Sequence, residues 1–123
     1  MMTIFLYAMA AIYSTGALLH VLDLFDLRRD FSHMNLAWRV WVVYLLIADA
    51  IAALGLWRRR QYGEYAFLFV SASQAIVYLT SDLFGNQNVL ASFHSVCLCV
   101  YVLLRLHQRS DSQVLREVTT WRQ

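Results

Sequence analysis

Four stretches of the chain are almost continuously apolar, and the charged residues collect between them. The runs are Ile4–Leu22, Leu36–Trp57, Tyr65–Asp82 and Val89–Leu106. Each has about 18–22 residues, the lower working length for crossing roughly 30 Å of hydrocarbon as a helix. None alternates with period two, so the runs read as helices and not as strands of a barrel. The chain has no proline, which argues against broken helices. The links between runs hold thirteen, seven and six residues, short enough to make successive helices antiparallel neighbours. The pattern predicts an all-α, four-helix transmembrane bundle of up-down-up-down order over residues 1–108. After His107 the character changes. Ser110-Asp111-Ser112-Gln113 carries a Ser-x-x-Gln start signal, and Val114, Leu115, Val118 and Trp121 recur at helical spacing beside Arg116 and Arg122. Residues 109–123 therefore read as a separate amphipathic helix on the cytoplasmic membrane surface.

Composition supports the lipid setting. The 123 residues are 60% hydrophobic and 15% charged, too little polar surface to coat a water-soluble globule. The first run has no positive region before it and exceeds a secretory h-region in length, so it is expected to stay as a span. Arginine placement orients the bundle. Arg58, Arg59, Arg60, Arg105, Arg109, Arg116 and Arg122 fall on the side of the N-terminus, whereas Arg28, Arg29 and Arg39 fall on the other. That asymmetry predicts both termini in the cytoplasm of a cell (inner) membrane. Every basic residue except histidine is arginine, a side chain suited to headgroup phosphates. A net charge of +2 is too small to indicate a nucleic-acid partner. Trp38 and Trp41 near one boundary, with Trp57 and Tyr62 near the other, match interfacial belts.

Links and seams carry further expectations. The second link, RRRQYGE, reads as a basic turn ended by Gly63, and Gly85-Asn86 marks the third. The turn Gly55-Leu56-Trp57-Arg58-Arg59-Arg60-Gln61-Tyr62-Gly63 resembles the hinge of small four-span proteins called DoxX-like. The likeness covers nine residues and carries no chemistry. Small residues at spacing four form seams for helix packing: Gly16 on the first helix, Ala48 and Ala52 on the second, and Ala91, Ser95 and Cys99 on the fourth. Cys97 and Cys99 lie about 200° apart on a helix and cannot pair, so both read as small buried side chains.

The polar residues inside the runs are the candidate chemistry. His20, Arg39, Gln74, Tyr78 and His94 fall in the outer half of the bundle and form a candidate ligand cluster for a quinone or a lipid headgroup. His20 and His94, on different helices, are also the candidate axial ligands of a haem b, the one cofactor the sequence raises. Asp49 lies lower, on the stripe Trp38, Val42, Leu45, Asp49 and Ala52. A charge at that depth costs about 2.5–3.5 kcal/mol on insertion scales, which makes Asp49 a candidate proton- or ion-coupling carboxylate in a small transporter. No nucleophile–base pair, phosphate loop or zinc motif is present, so enzymatic activity is not the expectation. The leading expectation is a subunit or accessory component of a membrane complex, with the bilayer, a second copy or a larger membrane assembly as partner.

Overall fold

The computed structural model describes residues 1–81 and 84–120, with side chains up to Gln113. The side-chain stripe expected over Val114, Leu115, Arg116 and Val118, and the residues Asp82, Trp121 and Arg122, lie outside that description. Among the described residues the protein is all-α, with four long helices and no strand. They are α1 (Met2–Leu24), α2 (Leu36–Trp57), α3 (Gln61–Thr80) and α4 (Asn88–Thr120), with a 3-10 turn at Phe31–His33 before α2. Successive helices run antiparallel. Arg59 meets Thr3 at one end of α1 and α2 while His20 faces Asp49 towards the other, and Glu64 of α3 pairs with Arg105 of α4.

Three of the helices, α1, α2 and α4, are long and apolar enough to cross a membrane. α3 is less apolar because Gln61, Glu64, Ser71, Ser73 and Gln74 interrupt it, and the structure explains why it tolerates them. Ser71 and Gln74 are buried within the bundle, and Ser73 bonds Tyr44 at 2.8 Å. The core is built from Met9, Ala10 and Tyr13 of α1, Leu45, Ala52 and Leu56 of α2, Phe67 and Val70 of α3, and Cys97 and Tyr101 of α4. Phe67 is the largest fully enclosed side chain, with Phe5 and Tyr13 standing edge-on to its ring at about 6 Å.

Several expected boundaries move. α1 runs two residues further at each end, which carries Asp23 into the helix. The second link shrinks to Arg58–Arg60, because α3 starts at Gln61. Gly63 therefore does not end a turn. It sits in the first turn of α3 against Gly55 of α2, where an added Cβ would come within 2.2 Å of the Gly55 carbonyl carbon. Two hydrogen-only residues let the two backbones touch. The helix break at Ser110 is also absent: α4 continues from Asn88 to Thr120. No glycine or proline interrupts it, Ser112 Oγ bonds back to the Arg109 carbonyl at 2.8 Å, and His107 faces Asp111 one turn on at 3.5 Å.

The small-residue seams are partly used. Ala52 and Ala91 are fully enclosed, and Gly16, Ala48 and Ser95 are half-buried. Cys99, expected to pack, faces outward on α4, while Cys97 is buried. Two positions apart, only one of them can face the bundle.

The first link is held by its own side chains. Asn35 caps α2 by accepting the Trp38 N–H at 2.9 Å. Asp26, at φ 56°, accepts from the Ser32 hydroxyl and amide, and the hydroxyl bond above all holds its carboxyl below the usual carboxylate range. His33 Nδ1 lies 2.8 Å from Asp30, and that hydrogen bond raises the imidazole above its ordinary value.

Candidate functional site

One cavity of about 240 Å³ lies between the helices, towards the end that holds the first link. Its wall is mostly apolar, from Ile12, Leu19, Val42, Leu45, Leu90 and Phe93. Five of the residues singled out in the sequence open onto it: His20 from α1, Asp49 from α2, Gln74 and Tyr78 from α3, and His94 from α4. The helices deliver them by register. Asp49 follows Val42 and Leu45 along the buried face of α2, and Gln74 and Tyr78 follow Ser71 along the buried face of α3.

Arg39 is the exception. It is exposed, with its guanidinium 5.3 Å from the Phe31 ring, and it does not reach the cavity. Its neighbour Trp38 faces inward, and one residue of helix turns the next side chain by about 100°. The positive charge at the cavity comes instead from Arg28 and Arg29 in the first link.

The geometry centres on His20. Its Nε2 lies 3.7 Å from Asp49 Oδ2, and its Nδ1 lies 3.7 Å from Asp23 Oδ2. The imidazole thus stands between two carboxylates, one deep in the bundle and one at the end of α1. Asp23, almost fully buried, receives a two-pronged ion pair from Arg28, with Nε donating to Oδ1 at 2.7 Å. Asp49 has no such partner. Its Oδ1, together with His20 Nδ1 and His94 Nδ1, is buried without a hydrogen-bond partner among the described residues. All three atoms belong to residues that line the one cavity. Gly16 makes room for the acid: a Cβ there would stand 2.6 Å from Asp49 Oδ2.

Neighbouring contacts hold this arrangement rigid. Tyr13 and Ser71 share a 2.7 Å hydrogen bond between α1 and α3. Trp41 Nε1 donates to the Tyr78 hydroxyl at 3.0 Å. Trp38, Trp41, Tyr78 and Phe84 stack into an aromatic cluster beside the cavity. His20 and His94, the expected axial ligands of a haem b, both line this cavity, and the Nδ1 atoms of both are without a hydrogen-bond partner among the described residues. Among the described residues no three of His, Cys, Asp and Glu converge to hold a metal ion.

Asp23, Arg28 and Arg29 are the site residues that the apolar pattern hides. Asp23 sits three residues after His20, on the continuation of the α1 face Tyr13, Gly16, Ala17 and His20, so helical spacing alone could have found it.

Fold and site together define a class: an all-α four-helix protein with three helices long and apolar enough to span a membrane, and an acid–imidazole cavity between its helices. The chain belongs to a family described as "Family of unknown function (DUF6163)", which matches residues 1–112 and so takes in every cavity residue. No curated protein and no solved structure matches the chain.

Proposed function

We propose that the protein is a four-span integral protein of the cell (inner) membrane, with both termini cytoplasmic, whose bundle holds a proton-exchanging site for a small solute. The lipid setting draws on the outer surface. Ile4, Leu18, Val40, Ile47, Phe69, Ile76, Leu79, Val96 and Leu103 are all more than half exposed, an apolar surface that water would not tolerate on a monomer. α3 is the fourth span, with Ser71 and Gln74 turned inward. The arginine asymmetry then makes the cavity end non-cytoplasmic.

The observation that carries the functional reading is the unpartnered Asp49 carboxylate facing His20 over a cavity. Asp49 and His20 share one exchangeable proton. With the proton on Asp49 both groups are neutral; with it on His20 Nε2 they form an ion pair. The Nδ1–H of that imidazolium faces the Asp23 carboxylate, which Arg28 holds by two hydrogen bonds at the first-link end of the cavity. Each 3.7 Å gap needs a shift of less than about 1 Å to become a hydrogen bond, and such contacts often tighten only with substrate bound. The apolar wall with Gln74, Tyr78 and His94 set into it suits a solute with an apolar body and a polar head. This is the chemistry of a proton-coupled carrier. Infrared difference spectra after a pH jump test it: a carboxyl band present in the wild type and missing from Asp49→Asn is the expected result. Identical spectra would remove the reading.

A second reading, a component of a larger membrane complex, rests on α4, where Ser95 is only half-buried and Cys99 is exposed. Small side chains left uncovered in lipid favour another helix. It predicts that a partner, or a second copy, co-purifies in mild detergent and is lost on Ser95→Leu.

A further inference from the structure

A second, smaller pocket of about 150 Å³ lies at the opposite end of the bundle, where all four helices contribute. Met2, Thr3 and Leu6 come from α1, Leu56 from α2, Arg59 and Arg60 from the link, Glu64 from α3, and Arg105 and Gln108 from α4. Its charges do not cancel. Glu64 is consumed within the pocket: it pairs with Arg105 and accepts the Tyr101 hydroxyl at 2.7 Å, while Arg105 Nε donates to that same hydroxyl at 3.1 Å. Arg59 and Arg60 are left over, and neither makes an ion pair among the described residues.

The link is built to present them. Arg59 N–H bonds the Leu56 carbonyl at 3.0 Å and Arg60 N–H bonds the Gly55 carbonyl at 2.9 Å, which closes the turn tightly after α2. Arg59 occupies the left-handed region at φ 52°, where glycine is at ease and a side chain is strained. The position nevertheless carries a long cationic side chain, and its guanidinium reaches across to Thr3 Oγ1 of α1 at 3.3 Å. Leu6 and Leu56 are buried, and Leu56 forms part of the core, so the pocket is apolar on its inner side and cationic at its rim. That is the order of chemistry met along a phospholipid, from acyl chain to phosphate.

We propose that this pocket binds a phosphate group, with Arg59 and Arg60 as its ligands and Thr3 and Gln108 as supplementary donors. The group belongs to an anionic lipid of the adjoining leaflet or to a free phosphate ion. Basic pockets between helices at the cytoplasmic face recognise lipid phosphates in this way. The proposal is independent of the Asp49 cavity, which shares no lining residue with it.

The test is the thermal unfolding midpoint of the full chain in nanodiscs. Discs of phosphatidylcholine alone are compared with discs containing phosphatidylglycerol, and with phosphatidylcholine discs given inorganic phosphate. Binding to the folded state should raise the midpoint by about 4 °C. A rise with phosphatidylglycerol only assigns the lipid headgroup, and a rise with inorganic phosphate as well assigns the free anion. The rise should vanish in Arg59→Gln/Arg60→Gln and persist in Arg58→Gln, which lies outside the pocket. Because Arg59 and Arg60 are exposed, the double variant should unfold in phosphatidylcholine as the wild type does. No rise in either medium, or a rise that the double variant keeps, would overturn the proposal. So would a rise that Arg58→Gln abolishes equally, since that is diffuse charge and not a site.

Discussion

Gly16→Ala separates the site from the fold. A Cβ at position 16 would stand 2.6 Å from Asp49 Oδ2 and 3.6 Å from its Cγ. Ordinary contact begins near 3.4 Å, so the carboxylate oxygen must retreat by about 0.8 Å. The obstructing atom is the end of a side chain and not backbone, so the helices need not part. Alanine in a helix interior gains about 1 kcal/mol over glycine. Pushing Asp49 off its rotamer costs about 0.5–1.5 kcal/mol. The two nearly cancel, and the unfolding midpoint in detergent should move by no more than a few degrees. The proposed proton relay is affected quite differently. A misplacement approaching 1 Å at a reacting group costs up to about 10²-fold in rate. The infrared band assigned to Asp49 should therefore respond to a pH jump at least about tenfold more slowly in the variant. An unchanged rate with an unchanged midpoint would mean that Gly16 does not seat the carboxylate. A collapse in stability would mean that the glycine serves helix packing and that the site reading is wrong at this residue.

Other perturbations follow from the same contacts. Gly63→Ala meets backbone, with its Cβ 2.2 Å from the Gly55 carbonyl carbon and 2.4 Å from the Leu56 nitrogen, so α2 and α3 must separate. A loss of about 3 kcal/mol or more is expected from chemical unfolding, and a loss below about 1 kcal/mol would contradict the close approach. Arg28→Gln leaves the buried Asp23 carboxylate unpaired; allowing for the one-third exposure of Arg28, a loss of about 1–3 kcal/mol is expected, and Asp23→Asn in the same background should recover part of it. In the first link His33 titrates above its ordinary value of 6.5 because Asp30 holds the protonated ring. A raised folded value means that the contact stabilises fully below pH 6.5 and is lost as pH rises through the folded midpoint. An NMR titration should show that midpoint above 6.5 and its return in Asp30→Asn; a midpoint indifferent to Asp30 would refute the contact.

The helices were legible because long apolar runs without proline have one stable form, and α2 matches its run from Leu36 to Trp57 residue for residue. His20, Gln74, Tyr78 and His94, grouped by their depth in the sequence, line one cavity, and Asp49, which the sequence places lower, opens onto the same space. A second acid at the cavity, Asp23, falls in the first link by the apolar pattern but belongs to α1, where Arg28 pairs with it from beyond the helix end. Arg39 was misplaced because depth along a helix says nothing of azimuth, and Trp38 had already taken the inward direction. The glycine pair at Gly55 and Gly63 was hidden by the arginines between them, which read as a wide turn. Ser110 carries a helix-start signal, but a start needs the preceding helix to stop, and nothing between Arg105 and Ser110 makes it do so.

Asp49 is proposed to exchange its proton with the non-cytoplasmic side through His20. Sided pH jumps on oriented proteoliposomes, read by the Asp49 infrared band, test it most directly. The band should follow the pH on the side of the first link, ignore the pH on the side of the termini, and slow sharply in His20→Phe. A band that tracks the terminal side, or one that moves as fast without the imidazole, would contradict it.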